Sequence, residues 1–259
     1  MNGPLPPADP PRAPDPWVAL RRHTPARIAL GRSGDSLPTD ELLRFAAAHA
    51  RARDAVHVPL DVDALCAALA GAGWAPLRVA SQAPTREDYL RRPDRGRRLR
   101  PEDLQALRDA ATGPVDLAVV LGDGLSALAT AQHALPVLQA LRDALAPAGL
   151  RWAPPVVATQ ARVALGDEIG AALQARLVLV LLGERPGLSA ADSLGAYLTH
   201  APRVGRTDAE RNCVSNIRPE GLAPAAAAQR LAWLVQHALR RGLTGVGLKD
   251  LSAIEQLPP

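Results

Sequence analysis

Runs of apolar and polar positions divide the chain into two stretches of different character. Up to about residue 110 the spacing is helical. Thr39 is expected to cap a helix over residues 39–54, with Asp40 and Glu41 at its positive end and Leu42, Leu43, Phe45 and Ala46 opening its buried face. A second helix is expected after Asp61, with Leu65, Cys66 and Leu69 on one side and Gly71 and Gly73 ending it. A third begins at Pro101, with Glu102 and Asp103 in its first turn. From residue 114 the pattern changes. Residues 115–121 (VDLAVVL) and 177–182 (LVLVLL) are short continuous apolar runs, as in strands covered on both faces, and residues 155–158 read as a third. Between and after them lie helical stretches: 127–133, 136–145, 166–174, and 224–241, which is rich in alanine and leucine.

Apolar strands alternating with helices predict an α/β fold with a mostly parallel, Rossmann-like sheet, accompanied by a small helical N-terminal domain. The expected division is a disordered proline-rich tail over 1–16, a helical region over 17–110, and the Rossmann-like domain over 111–259, with the boundary near residues 95–114. Seven prolines occupy the first sixteen positions. Trp17, Val18 and Leu20, then Ile28 and Leu30, suggest an arm packed on the body.

Composition removes several classes. At 47% hydrophobic and 22% charged residues over 259 positions, the bulk of the chain is not intrinsically disordered. No apolar run approaches the roughly 18 residues that a spanning helix needs. The start of the chain lacks a basic segment followed by an apolar one, so no signal peptide is expected and the setting is read as intracellular. Two cysteines, Cys66 and Cys213, make no disulfide framework. Cys66 reads as a small buried apolar residue. A net charge of +4 spread over this length is a weak argument for nucleic acid.

Three stretches could carry chemistry. Residues 86–100 hold seven arginines against three acids, a composition suited to carboxylate or phosphate. With Tyr89 as its only aromatic, the stretch offers little for base stacking, so an arginine-rich RNA-binding module is the alternative reading and a structural or subunit-contact role the leading one. The turn Gly122-Asp123-Gly124-Leu125-Ser126-Ala127 loosely matches a dinucleotide fingerprint, but Asp123 would repel pyrophosphate. Glu184 follows a buried strand's carboxyl end, the edge where open α/β sheets bind ligands, and Gly183, Pro186 and Gly187 fix the backbone around it. It reads equally well as a simple turn. No HxH, HExxH, CxxC or GxSxG pattern occurs, and the six histidines are scattered. A protein of this size without a compact catalytic set reads as half of an enzyme.

The segments SQAPTREDYLRRPDRGRRL, DLAVVLGDGLSALA, VALGDEIG, LLGERPGLSAADSLGAYLTHAPRVGRTDAERNCVSNIRPEGL and GLTGVGLKD together resemble the light (small) chains of ethanolamine ammonia-lyase over about residues 15–250. The resemblance implies a subunit of an adenosylcobalamin-dependent lyase that converts ethanolamine to acetaldehyde and ammonia. It implies a hetero-oligomer in which a large (heavy) subunit carries the substrate and the corrin lies between the two chains. Carried over by position, the cofactor contacts are Val163 in RVALGDEIG, against the corrin or its lower base; Glu184 in GERPG, accepting from peripheral amides; and Cys213 in RNCVSN, at the rim. Arg162, Arg185 and Asn212 are their neighbours. No catalytic residue and no metal ligand is expected in this chain. With no Asp-x-His-x-x-Gly motif present, the cofactor is expected base-on. Neither nucleic acid nor membrane is an expected partner. The expected setting is the cytoplasm, free or within a bacterial microcompartment; the proline-rich 1–16 segment is unsuited to the amphipathic helix that targets relatives to such compartments.

Overall fold

A computed structural model describes residues 17–24 and 26–252. The tail assigned to 1–16 lies outside them. The fold is a mixed α/β structure around one six-stranded sheet, ordered β1-β3-β2-β4-β5-β6. The strands are β1 (Leu77–Ala80), β2 (Val115–Gly122), β3 (Val156–Thr159), β4 (Ala175–Gly183), β5 (Leu194–His200) and β6 (Arg211–Ile217). The first four are parallel to one another, while β5 and β6 add antiparallel ladders at one edge. The mostly parallel sheet is therefore present, with an antiparallel extension that the apolar pattern did not disclose.

The central strands are apolar on both faces because helices cover both. Leu117, Val119 and Leu121 of β2 face one layer, together with Leu177, Leu179 and Leu181 of β4. That layer holds α2 (Val62–Gly71), α6 (Leu135–Leu145) and α8 (Pro224–Arg241). Ala118 and Val120, with Val178 and Val180, face the other, formed by α4 (Pro101–Ala110) and α7 (Leu165–Ala172). The period-two side-chain alternation of a strand thus sorts an unbroken apolar run into two cores. The two stretches read as separate helices at 127–133 and 136–145 form one path: α5 (Ala127–Ala129) continues through a π turn over Thr130–Ala134 into α6. Pro136 sits within it, near the start of α6, where the π turn supplies the irregularity.

Two N-terminal expectations are corrected. The first helix, α1, spans Thr39–His57, but Pro38 occupies its cap position with φ −56° and ψ 140°. Thr39 is already helical and its hydroxyl caps nothing. The side of α1 turned to the protein carries Glu41, Ala48 and Ala55, spaced by two helical turns. Leu42, Leu43 and Phe45 stand on the exposed side. Glu41 takes the inward position, accepting from Arg21 (3.0 Å) and Arg44 (2.9 Å) at the helix start. The arm differs in part: its 3-10 helix over Val18–His23 buries no residue, while Ile28 and Leu30 are half-buried and Arg21 and Arg27 reach Glu41 and the Leu188 carbonyl. The second helix matches expectation: Asp61 caps it by accepting from the Ala64 amide at 2.9 Å, and Leu65, Cys66 and Leu69 are buried.

Candidate functional site

The carboxyl ends of β2, β3 and β4 are laced together. The Asp123 carboxylate, just past β2, accepts from the Gln160 and Ala161 amides beyond β3 at 2.8 and 2.9 Å. Arg86 lies 3.6 Å from it and donates to the Gly124 carbonyl at 2.8 Å. The Leu125 amide donates to the Gly183 carbonyl at 2.9 Å. Gly124 has φ +57°, and a Cβ there would stand 2.2 Å from that carbonyl oxygen. The glycines of this turn therefore serve close backbone packing. Asp123, the group that would repel pyrophosphate, is a fixed part of the fold, which leaves the turn no dinucleotide role.

Against this edge lies a cleft of about 460 Å³, walled by Tyr89, Arg162, Val163, Leu182, Glu184 and Tyr197. Glu184 emerges from β4, and its amide donates to the Ser193 carbonyl at 2.9 Å. Its Oε2 accepts from the Ser193 hydroxyl and from the Asn216 amide at 3.2 Å. Its Oε1 lies 3.0 Å from where a Gly195 Cβ would stand, so glycine there leaves that oxygen its present position unforced. One carboxylate oxygen is thus locked and the other is left as an acceptor.

Val163 is half-buried in the turn before α7, packed on the core of that side. The turn is pinned by the Arg162 amide, which donates to the Gly96 carbonyl at 2.9 Å. Tyr89, from α3 (Arg86–Arg91), forms a buried wall. Its hydroxyl donates to the Ala161 carbonyl at 3.0 Å, and burial pushes the phenol up to about 12. The guanidinium carbons of Arg162 and Arg86 lie 4.2 and 4.7 Å from the centre of its ring.

Cys213 stands one step outside the cleft. It is exposed on β6 and pairs in register with Tyr197 of β5, whose side chain lines the cleft. Partial loss of solvent, then the Glu184 carboxylate, hold the Cys213 thiol above its ordinary value. Burial, then Cys213 and Glu184, do the same to the Tyr197 phenol. Cys213 and Tyr197 are therefore both held toward their neutral forms beside a single carboxylate.

Of the residues expected from sequence, Val163 and Glu184 share a cleft, with Arg162 and Arg185 beside them, and Cys213 joins through Tyr197. Asn212 faces elsewhere: its side chain donates to the Leu248 carbonyl at 2.7 Å and accepts from the Gly245 amide at 2.9 Å, holding the turn after α8. Tyr89 and Tyr197 were not foreseen as site residues. The lone aromatic in an arginine run was the one available signal for Tyr89; Tyr197 had none, because β5 was not recognised.

Most of the arginines between 86 and 100 are engaged within the chain. Arg92 meets Asp94 at 2.9 Å, Arg95 meets Asp88 at 3.3 Å, and Arg98 meets the buried Glu168 at 2.6 Å. Glu168 also accepts from the Leu99 amide at 2.6 Å. The run therefore ties the 86–100 segment to α7. Among the described residues no cluster of three or more histidine, cysteine, aspartate or glutamate side chains could hold a metal ion, and no helix is long and apolar enough to cross a membrane.

The family model of the ethanolamine ammonia-lyase light chain matches residues 14–249. The chain belongs to that family. It is 53% identical over 246 residues to the ethanolamine ammonia-lyase small subunit of Pseudomonas fluorescens, covering 94% of this chain and 90% of the relative. The small subunit of Azotobacter vinelandii is 54% identical over 250 residues, 95% of this chain and 93% of its own. That of Ralstonia nicotianae is 53% identical over 246 residues, 94% and 91% respectively. The light chain is thus a component of a lyase. Its 163, 184 and 213 positions all fall inside the matched region.

Proposed function

We propose that this light chain completes an adenosylcobalamin site at an interface with the large subunit of an ethanolamine ammonia-lyase, which converts ethanolamine to acetaldehyde and ammonia. The observation that carries the reading is the cleft at the sheet's carboxyl edge, where an apolar wall stands beside a carboxylate with one oxygen committed and one available. A corrinoid is a large apolar-faced ring fringed with amides, and this arrangement fits it. Val163 would pack on the ring or its lower base. Glu184 would accept from a peripheral amide, held in direction by Ser193 and Asn216. Cys213 would make a small, soft contact at the rim.

The cofactor, when bound, supplies the radical chemistry. This chain's share is binding, orientation and exclusion of water, and none of its residues is assigned a catalytic role. The chain offers no histidine in the motif that displaces a corrinoid's own base, so the base-on form is the one proposed. The corrinoid-contacting part is residues 111–259, with Tyr89 of the 17–110 region closing one side of the cleft. The proposed setting is the cytoplasm, free or in a microcompartment.

The test is corrinoid binding by the large subunit alone and by the pair. The pair is expected to bind more tightly, and Glu184→Ala to weaken binding about tenfold, as for loss of one hydrogen bond to a charged group, with the chain still folded and its melting temperature lowered by the few degrees that the lost Ser193 and Asn216 hydrogen bonds account for. A pair that binds no better than the large subunit alone would overturn the reading.

A further inference from the structure

Next to the Glu184 cleft lies a second hollow of about 410 Å³, walled by Arg97, Arg162, Arg206, Thr207, Asp208 and Arg211. Four guanidiniums around one cavity are more than its acids account for. Arg211 is 3% exposed and spends both terminal nitrogens on Asp167, at 2.8 and 2.7 Å. Its Nε is buried without a hydrogen-bond acceptor, the nearest carboxylate being Asp208 at 3.6 Å. The Nε of Arg162 is also buried without an acceptor. Arg206 is engaged by Glu210 and by the Ala201 carbonyl. Arg97 is exposed and makes no side-chain hydrogen bond or ion pair with the described residues. Asp208 is fully exposed and can swing into solvent.

We propose that this hollow seats a phosphate-class oxyanion, recognised by the guanidinium groups of Arg97, Arg162 and Arg211. Planar N–H forks suit tetrahedral oxyanions, and buried donors without acceptors mark where an acceptor is missing. The source follows from position and rests on the corrinoid reading. Arg162 and Val163 line both the hollow and the Glu184 cleft, so a single ligand can span the two. A cobalamin carries one phosphodiester, in the nucleotide tail that hangs from the ring's edge. With the ring against Val163 and Glu184, that phosphodiester is the anion assigned to the arginine hollow.

Two binding measurements test this. The reconstituted two-subunit complex is dialysed against cyanocobalamin and against dicyanocobinamide, which keeps the ring and its amides but lacks the phosphate, ribose and base. Arg97→Ala is expected to weaken cyanocobalamin about tenfold, the loss of one charge-assisted hydrogen bond, and to leave cobinamide within about twofold. Arg162→Gln is expected to act in the same direction. Separately, the full light chain alone is melted with and without inorganic phosphate. A phosphate-dependent rise that Arg97→Ala abolishes supports the site. If that rise appears while the cobalamin-to-cobinamide ratio is the same in wild type and variants, the cofactor assignment is overturned and the ligand is free phosphate. If neither phosphate nor cobalamin responds to the variants, the site itself is overturned. Corrinoid binding no tighter in the pair than in the large subunit alone would sink the corrinoid reading, while the phosphate melt would still judge the hollow.

Discussion

The buried pair of Asp167 and Arg211 sets a quantitative test of how the antiparallel edge is joined to the parallel sheet. Asp167 lies in the first turn of α7 and Arg211 opens β6, and their side chains are 2% and 3% exposed. Arg211 also donates to the Thr199 hydroxyl at 2.8 Å and the Arg206 carbonyl at 3.0 Å, so one guanidinium holds α7, β5 and the turn before β6 together. Arg211→Met removes those four hydrogen bonds and strands a carboxylate away from water. Breaking one side of such a pair costs about 3–5 kcal/mol. For a chain of this length that is a fall of about 10 °C in melting temperature. The double variant Asp167→Leu with Arg211→Met removes the stranded charge. It leaves only the Thr199 hydroxyl and one carbonyl unsatisfied, so it is expected within about 2 kcal/mol of the parent. Urea unfolding of the full chain, run as a double-mutant cycle, measures both. A single variant that loses less than about 1 kcal/mol, or a double variant as unstable as the single, would refute the account, since the cost would then not come from an unpaired buried charge.

Gly183 and Glu210 offer two further tests. Gly183→Ala would place a Cβ 1.9 Å from the Ser126 carbonyl oxygen, a backbone atom that cannot rotate away. It is expected to destabilise by about 1–3 kcal/mol in urea unfolding and, because Glu184 is the next residue, to weaken corrinoid binding too; wild-type values in both measurements would show that the turn yields freely. Glu210 accepts from the Thr207 amide and from Arg206, in that order of effect, and its carboxyl is held down at about 2 against an ordinary 4.5. With the folded value depressed, its contribution is complete above pH 4.5 and fades as pH falls toward 2, beside Arg206, Arg211 and Asp208 in the same turn. Glu210→Gln should therefore flatten the acid limb of a melting-temperature profile across that window, and an unaltered acid limb would count against the assignment.

What could be read from the sequence follows from where the apolar surface goes. Strands β2 and β4 bury nearly everything they carry, so their runs are unbroken, and α8 keeps its buried alanines and leucines on one regular helical face; the ends of all three fell within two residues of the reading. The strands that were missed have no such excess. β1 is four residues at an edge, with Arg78 exposed. β5 begins Leu-Gly-Ala, and β6 reads Arg-Asn-Cys-Val-Ser-Asn-Ile with its exposed positions in solvent. β1 and β6 are edge strands with one covered flank, and polar residues suit them; β5 lies inside the sheet, but Gly195, Tyr197, Thr199 and His200 break its apolar run, so hydrophobic pattern alone has little to report in any of the three. α1 failed in the opposite sense. Its leucines and Phe45 match a helical face, but pattern cannot say whether that face meets this chain's own core, and here it does not.

The site divides along the same line. Glu184 could be placed from local sequence because a buried strand followed by Gly-Glu-Arg-Pro-Gly puts a carboxylate at the sheet's carboxyl edge whatever else the fold does. Its working geometry could not, because it is made by residues distant in sequence: Ser193 and Asn216 turn the carboxylate, Gly195 leaves its free oxygen room, and Tyr197 brings Cys213 beside it. Each of those depends on the two antiparallel strands being added to a parallel sheet: β5 pairs with β4 along its length, and Arg211 with Asp167 ties that edge to α7. The buried ion pair and the proposed cofactor contacts are therefore linked: β5 and β6 deliver Tyr197 and Cys213 to the cleft, the turn before α7 carries Val163, and the ion pair joins α7 to that edge of the sheet.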